Sequence, residues 1–149
     1  MWEPGHDTER KPPFRFAVYT RVGFSDTDAQ GVVYYGRYLP YFDLARTEYQ
    51  RRVGRVDAPG CEFVVRAQTV EYHAPARFDD LLDVFVRVAR MGTSSMVWEF
   101  EADNAASGEH LVSARQTMVQ VDLAKRRPVP VDPGVRSAVE RFEQELESA

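Results

Sequence analysis

One segment limits the fold more than any other. Residues 36–53 carry the only long helical pattern in the chain. Tyr38, Tyr41, Phe42, Ala45, Tyr49 and Val53 recur at helical spacing on one face, while Arg37, Asp43, Thr47, Glu48, Gln50 and Arg51 lie mostly elsewhere. Pro40 falls in the first turns, where a missing N–H costs least, and Gly54 is a suitable stop. A stripe this broad and aromatic has to be buried, and the rest of the chain offers mainly strands to bury it. Phe14–Phe24 alternates ahead of the helix, with Phe14, Phe16, Val18 and Thr20 on one side. Residues 56–61 read as a loop. After them the period is two: Glu62–Tyr72 and Leu111–Val121 are long strand patterns. Leu82, Val84, Val86 and Val88 alternate with Asp83, Phe85, Arg87 and Ala89. Met96, Trp98, Phe100 and Ala102 alternate with Val97, Glu99 and Glu101. Gly92–Ser94 reads as a tight hairpin turn and Asn104–Gly108 as a looser one. Val135–Leu146 closes the chain as a short amphipathic helix, with Val135, Val139, Phe142 and Leu146 on one face. The expected architecture is α+β: a curved antiparallel β-sheet wrapped around one long central helix.

At 149 residues the chain is the size of one domain and can bury a core without disulfides or metals. The polar, Pro-bearing stretch of residues 1–13 reads as a flexible N-terminal tail, and residues 14–149 as the single domain. A net charge of -4 argues against a nucleic-acid partner. No apolar run approaches the roughly 20 residues of a membrane span, and the N-terminus has no apolar signal core. The one cysteine, Cys61, excludes an intrachain disulfide, which suits a reducing compartment; a cytoplasmic location is expected. Cys61 sits in a Pro-Gly-Cys stretch with no histidine close in sequence, and reads as a structural cysteine rather than a nucleophile.

The chemistry concentrates between Phe24 and Tyr35. Asp26 and Asp28 stand two residues apart in a polar loop that runs through Gly31, Val32, Val33 and Tyr34 into the start of the helix. A helix N-terminus offers unpaired N–H groups and partial positive charge, so it can hold a carboxylate ionised and polarise a carbonyl oxygen. An oxyanion site and a carboxylate that attacks or activates water are the two elements thioester hydrolysis needs. On residue chemistry alone, the competing reading makes Asp26 and Asp28 simple cap and turn residues. No further ligands follow at metal-loop spacing, so no metal is expected. Of the three histidines, His6 lies in the tail and His110 precedes a strand. His73, beside Pro75, is the only candidate for dehydratase-type acid–base work and fits a structural turn better.

The stretch RVGFSDTDAQGVVYYGRYLPYFDLARTEY, from Arg21 to Tyr49, resembles the 4-hydroxybenzoyl-CoA thioesterase branch of the hotdog superfamily. It is closer still to the acyl-CoA thioesterases associated with the bacterial Tol–Pal system. FVVRAQTVEYHAPARFDDLLDV, from Phe63 to Val84, and GTSSMVWEF, from Gly92 to Phe100, extend the resemblance over most of the chain. It implies a hotdog fold and hydrolysis of an acyl-CoA or acyl carrier protein thioester. Coenzyme A enters as part of the substrate, with no resident cofactor, and the assembly is a homodimer or homotetramer.

By the same resemblance, Asp28 is the catalytic carboxylate, acting as nucleophile or general base. Asp26 is a loop former, and Tyr35 supplies a backbone N–H to the thioester carbonyl. Phe24, Gly31, Tyr34 and Gly36 surround the substrate, and Phe63, Val65 and Arg66 line its channel from a second chain. The sequence departs from the pattern in three places. Tyr35 replaces a histidine frequent in the Tol–Pal type, Phe24 lacks the hydroxyl many relatives carry, and the basic cluster for the CoA phosphates is missing around Gly92–Ser94. Arg66, Arg90, Arg126 and Arg127 are the substitutes on offer. Two alternatives stay open: a mid-helix carboxylate, Asp43 or Glu48, as the catalytic group, and a non-catalytic acyl-CoA-binding protein.

Overall fold

The computed structural model describes residues 4–54 and 60–147; the expected loop of residues 56–61 lies mostly outside them. In chain order the elements are β1 (Gly5–Asp7), β2 (Phe16–Arg21), α1 (Tyr38–Arg52), β3 (Glu62–Tyr72), β4 (Leu81–Met91), β5 (Ser95–Asn104), β6 (His110–Asp122), β7 (Arg127–Pro128) and α2 (Pro133–Glu143). Seven strands make one sheet in the order β1-β2-β4-β5-β6-β3, and β7 pairs with the end of β6. Every pairing is antiparallel. β4, β5 and β6 form a meander. β3, which directly follows α1 in sequence, lies at the far edge beside β6.

α1 lies against the concave face of this sheet. The residues buried along it are Tyr38, Tyr41, Phe42, Ala45 and Tyr49, the stripe read from the sequence. Phe42 stacks on Phe100 of β5 at 4.8 Å, and Tyr49 meets Trp98 edge-on at 5.0 Å. Each aromatic side chain of this size removes about 150–250 Å² from water, so the helix–sheet interface dominates the apolar burial. β5 alternates as its sequence predicts, with Met96, Trp98, Phe100 and Ala102 buried. The fold is the hotdog, one long helix within a curved sheet.

Two expectations are corrected. Residues 5–13 are not a loose tail. β1 pairs with β2 (Gly5 opposite Val18, Asp7 opposite Phe16), and the segment that follows is fastened by charge. Arg10 pairs with the buried Asp83, and Lys11 Nζ lies 2.9 Å from Asp103. The chain there covers the outer face of β4, which is why β4 is buried on both faces although its sequence alternates. Phe14 belongs to that outer layer. It packs with Ala17 and Phe85, on the opposite side of the sheet from Phe16 and Val18.

At the other end of α1 the helix α2 is capped by Asp132, whose carboxylate accepts the Val135 N–H at 3.1 Å, with Pro133 in the first turn. Its last residue, Glu143, is buried. It accepts the Tyr49 hydroxyl at 2.6 Å and the Val88 N–H at 3.0 Å, tying α2 to α1 and to β4.

Candidate active site

After β2 the chain makes one 3-10 turn, Phe24–Asp26, and then a miniature hairpin. Thr27 bridges Val33, the Asp28 N–H donates to Val32 O at 2.9 Å, and the Gly31 N–H donates to Asp28 O at 3.0 Å. Gly31 has φ +78°, the left-handed conformation that glycine adopts without a steric penalty, and this closes the hairpin. Val32 in turn bridges Arg77. The hairpin therefore delivers the chain straight into a second 3-10 turn, Tyr35–Arg37, which runs on into α1. The first hydrogen bond of that turn is Arg37 N–H to Tyr34 O at 2.9 Å. The amides of Tyr35 and Gly36 precede it, so the helical ladder gives them no acceptor.

The two acids of the motif have different surroundings. Asp26 is tied down: its Oδ2 accepts the Tyr41 hydroxyl at 2.7 Å and the Gly23 N–H at 2.9 Å, and Arg37 Nε lies 3.5 Å from Oδ1. Burial, and then the bond to Asp26, raise the Tyr41 hydroxyl well above the usual phenol range, so it stays a donor. Asp28 is exposed. Its Oδ1 accepts the Gln30 N–H at 2.8 Å, and among the described residues no other donor meets its carboxylate. Asp26 therefore shapes the loop, while Asp28 keeps one exposed carboxylate oxygen without a donor among the described residues, in the hairpin that leads into the helix.

Around this point stand aromatic residues. Tyr34 and Tyr35 are in ring contact at 5.7 Å, and Tyr35 meets Tyr72 at 5.3 Å. The Tyr72 hydroxyl donates to Tyr35 O at 3.2 Å. Phe24 lies edge-on to Phe78 at 6.0 Å. Tyr35 is 67% exposed and Phe24 79%, so a single chain leaves this surface open. Tyr72 and Phe78 were not foreseen. An aromatic at the end of an exposed strand, and another beside Asp79 and Asp80, were the available signals.

The structure places Phe24, Asp28, Gly31, Tyr34, Tyr35 and Gly36 on one continuous segment, within which the Gly31 N–H bonds Asp28 O and the rings of Tyr34 and Tyr35 meet. It does not bring the remaining predicted residues to them within one chain. Phe63, Val65 and Arg66 lie toward the start of β3, Arg66 being the extra residue of a bulge, whereas Tyr72 at the other end is the part of β3 that reaches Tyr35. Arg90 lies about nine residues along β4 from Leu81, roughly 30 Å in an extended strand. Leu81 is the end that pairs with Arg21 and so adjoins the loop. Asp43 is paired with Arg46 at 2.7 Å, and Glu48 lies 3.4 Å from Arg51. A small apolar cavity of about 50 Å³ lies toward the C-terminal end of α1, between Tyr49, Phe63, Met96 and Trp98, away from Asp28.

Comparison with known proteins decides the family. Residues 22–139 match the thioesterase-like superfamily. The chain belongs to that superfamily. It is 38% identical over 135 residues to the acyl-CoA thioester hydrolase YbgC of Escherichia coli O6:H1, covering 88% of this chain and 96% of that one. It is 35% identical over 128 residues to the acyl-CoA thioesterase YbgC of Haemophilus influenzae, covering 83% and 93%. Among solved structures, a thioesterase from Thermus thermophilus complexed with coenzyme A and Zn superposes with a TM-score of 0.74 at 28% identity, over 87% of this chain and 96% of that one. These likenesses agree with the hotdog architecture and the resemblance carried by the Asp26–Tyr34 motif. No helix among the described residues is long and apolar enough to cross a membrane.

Proposed function

We propose that this chain hydrolyses acyl-CoA thioesters to a free acid and coenzyme A, with Asp28 as the reacting carboxylate. One observation carries the assignment. Of the two acids in the motif, only Asp28 has an uncommitted oxygen among the described residues, and it lies in the hairpin that leads directly into the central helix. The Tyr35 and Gly36 N–H groups would receive the thioester oxygen as it gains negative charge, a contribution typically about 10²–10³-fold per donor. Asp28 either adds to the carbonyl carbon, giving a mixed anhydride that water then cleaves, or takes a proton from the attacking water. In both routes the thiolate of coenzyme A leaves and is protonated. No resident cofactor enters the scheme. Acyl carrier protein is the second carrier to be assayed, and a cytoplasmic setting suits both.

The site is proposed to be completed by a second copy of the chain. β3 is an edge strand, exposed along most of its length, and a long open edge is a template for pairing. A twofold antiparallel pairing centred on Ala67 would set Phe63 of one chain opposite Glu71 of the other, and Val65 opposite Thr69. Phe63 would then arrive beside Tyr72 and Tyr35 of the other chain, where a single chain is open, with Val65 and Arg66 following two and three residues further along the strand. The decisive assay is turnover of short, long and aryl acyl-CoAs by the wild type and by Asp28→Asn. Hydrolysis abolished in a folded Asp28→Asn protein is the expected result. A fully active variant removes Asp28 from the reaction, and binding of acyl-CoA without turnover by the wild type makes the chain a carrier.

A further inference from the structure

We infer that the convex face of the sheet carries a second reactive centre, in which Ser113, activated by His110 and Asp103, accepts the acyl group of small activated esters. The three residues form one hydrogen-bonded chain. His110 Nδ1 lies 2.8 Å from Asp103 Oδ1, and His110 Nε2 lies 2.8 Å from Ser113 Oγ. An ionised carboxylate can only accept, so Nδ1 carries the proton and donates to Asp103. Nε2 then keeps its lone pair for the Ser113 O–H. Hydroxyl, imidazole and carboxylate in this order are what a serine nucleophile requires.

A defect in the sheet makes the arrangement. His110 and Ser113 are three residues apart, and in a regular strand they would point to opposite faces. The β5–β6 register shifts between Ala102 opposite Val112 and Asp103 opposite His110, so Leu111 is an extra residue. The bulge turns His110 to the same face as Ser113 and sets it directly across from Asp103. The carboxylate is itself held in place, since Lys11 Nζ lies 2.9 Å from both of its oxygens. A second imidazole completes the group. His73 Nε2 is 3.4 Å from Ser113 Oγ, and its ring lies 4.7 Å from that of His110. The two rings wall one side of the hydroxyl, and His73 with its proton on Nε2 is a donor for a carbonyl oxygen there. Glu101, 3.6 Å from His110 Nε2, and Glu71, 3.9 Å from His73, are the neighbouring charges. All of this lies on the side of the sheet away from α1, and it shares no residue with the Asp28 site. The inference does not depend on the thioesterase reading.

In the reaction, Ser113 Oγ bonds to the ester carbonyl carbon as its proton passes to His110 Nε2. The bond from carbon to the leaving oxygen then breaks, and the departing alkoxide takes that proton. Water attacks the acyl-serine, gives its proton to His110, and Ser113 leaves with the proton returned.

The test uses the full chain carrying Asp28→Asn, so that the other site is silent. It is treated with diisopropyl fluorophosphate, which phosphorylates activated serines with loss of fluoride, and the modified residue is mapped by peptide mass spectrometry. Label on Ser113, formed at least about tenfold faster than on any other serine and slowed by a similar factor in His110→Asn, is expected; general-base assistance is commonly worth that or more. Release of p-nitrophenol from p-nitrophenyl acetate should fall in parallel in Ser113→Ala. Ser113→Ala in the otherwise native chain should keep its acyl-CoA turnover, which shows that it folds. Label absent from Ser113, label there that is indifferent to His110→Asn, or label on Lys11 or a histidine instead, each overturns the inference.

Discussion

Among single residues, the two aspartates of the motif differ in how far their neighbours commit them, and the proposed roles follow that difference. Asp26 holds a phenol, an amide and a guanidinium; Asp28 holds one amide. Asp28→Asn should therefore lower kcat by about 10³-fold, in the usual range for loss of a catalytic base, with an unchanged melting temperature. Asp26→Asn should show the reverse emphasis. It weakens the charge-assisted bond from Tyr41 and the contact with Arg37, and should cost about 1–2 kcal/mol in a denaturant titration. Tyr35 is assigned a role through its backbone, and its hydroxyl does not enter the scheme. Tyr35→Phe should keep most of the turnover. A loss comparable to that of Asp28→Asn would instead make the hydroxyl a reacting group.

Between elements, the junction of α2 with α1 and β4 rests on one buried acid. Glu143 accepts from Tyr49 and from the Val88 amide, and burial pushes its carboxyl above the ordinary glutamate range, partly offset by those two donors. A folded-state pKa raised above the unfolded value means that the folded protein binds the proton more tightly. The stabilisation from this group is fully present below the unfolded value and is lost as pH rises through the folded one. The Tm difference between the wild type and Glu143→Gln should then be most favourable to the wild type near pH 4 and shrink toward neutrality. A difference that grows with pH would overturn this account. The N-terminal segment has a comparable role on the outer face. Asp83 is buried under Arg10, so Arg10→Ala leaves its carboxylate without that partner and should destabilise by about 1–3 kcal/mol. Chemical denaturation measures this directly.

For the molecule as a whole, the proposed dimer accounts for the open edge of β3 and the open aromatic surface at Tyr35 together. If a twofold partner closes both, an Asp28→Asn chain and a chain carrying Val65→Asp should each be inactive alone. Co-refolded, they should regain a fraction of wild-type turnover, because each mixed dimer keeps one intact site. Sedimentation of the mixture establishes that mixed dimers exist. No recovery in proven mixed dimers would show that each site is complete within its own chain.

Local pattern was enough to place the elements and the acid-bearing loop. The buried stripe of α1, the spans of β3 to β6 and the acid-bearing entry to the helix are all set by side-chain period and turn chemistry within a few residues. The family was legible for the same reason, since the Asp26–Tyr34 motif is contiguous. The remaining features depend on how elements pair with one another, and so waited on the folded molecule. A three-residue strand such as β1 has too little period to read, and it exists because β2 offers it an edge. Phe14 changed faces because the segment from Arg10 to Phe14 folds over β4, which period two cannot foretell. Tyr72 meets Tyr35 because β3 crosses to the far edge of the sheet. His110 and Ser113 share a face because one extra residue breaks the alternation that a strand pattern assumes. Periodicity fixes which side of its own element a residue occupies; which residue stands opposite depends on register, crossovers and bulges, and those are settled only when the sheet closes around its helix.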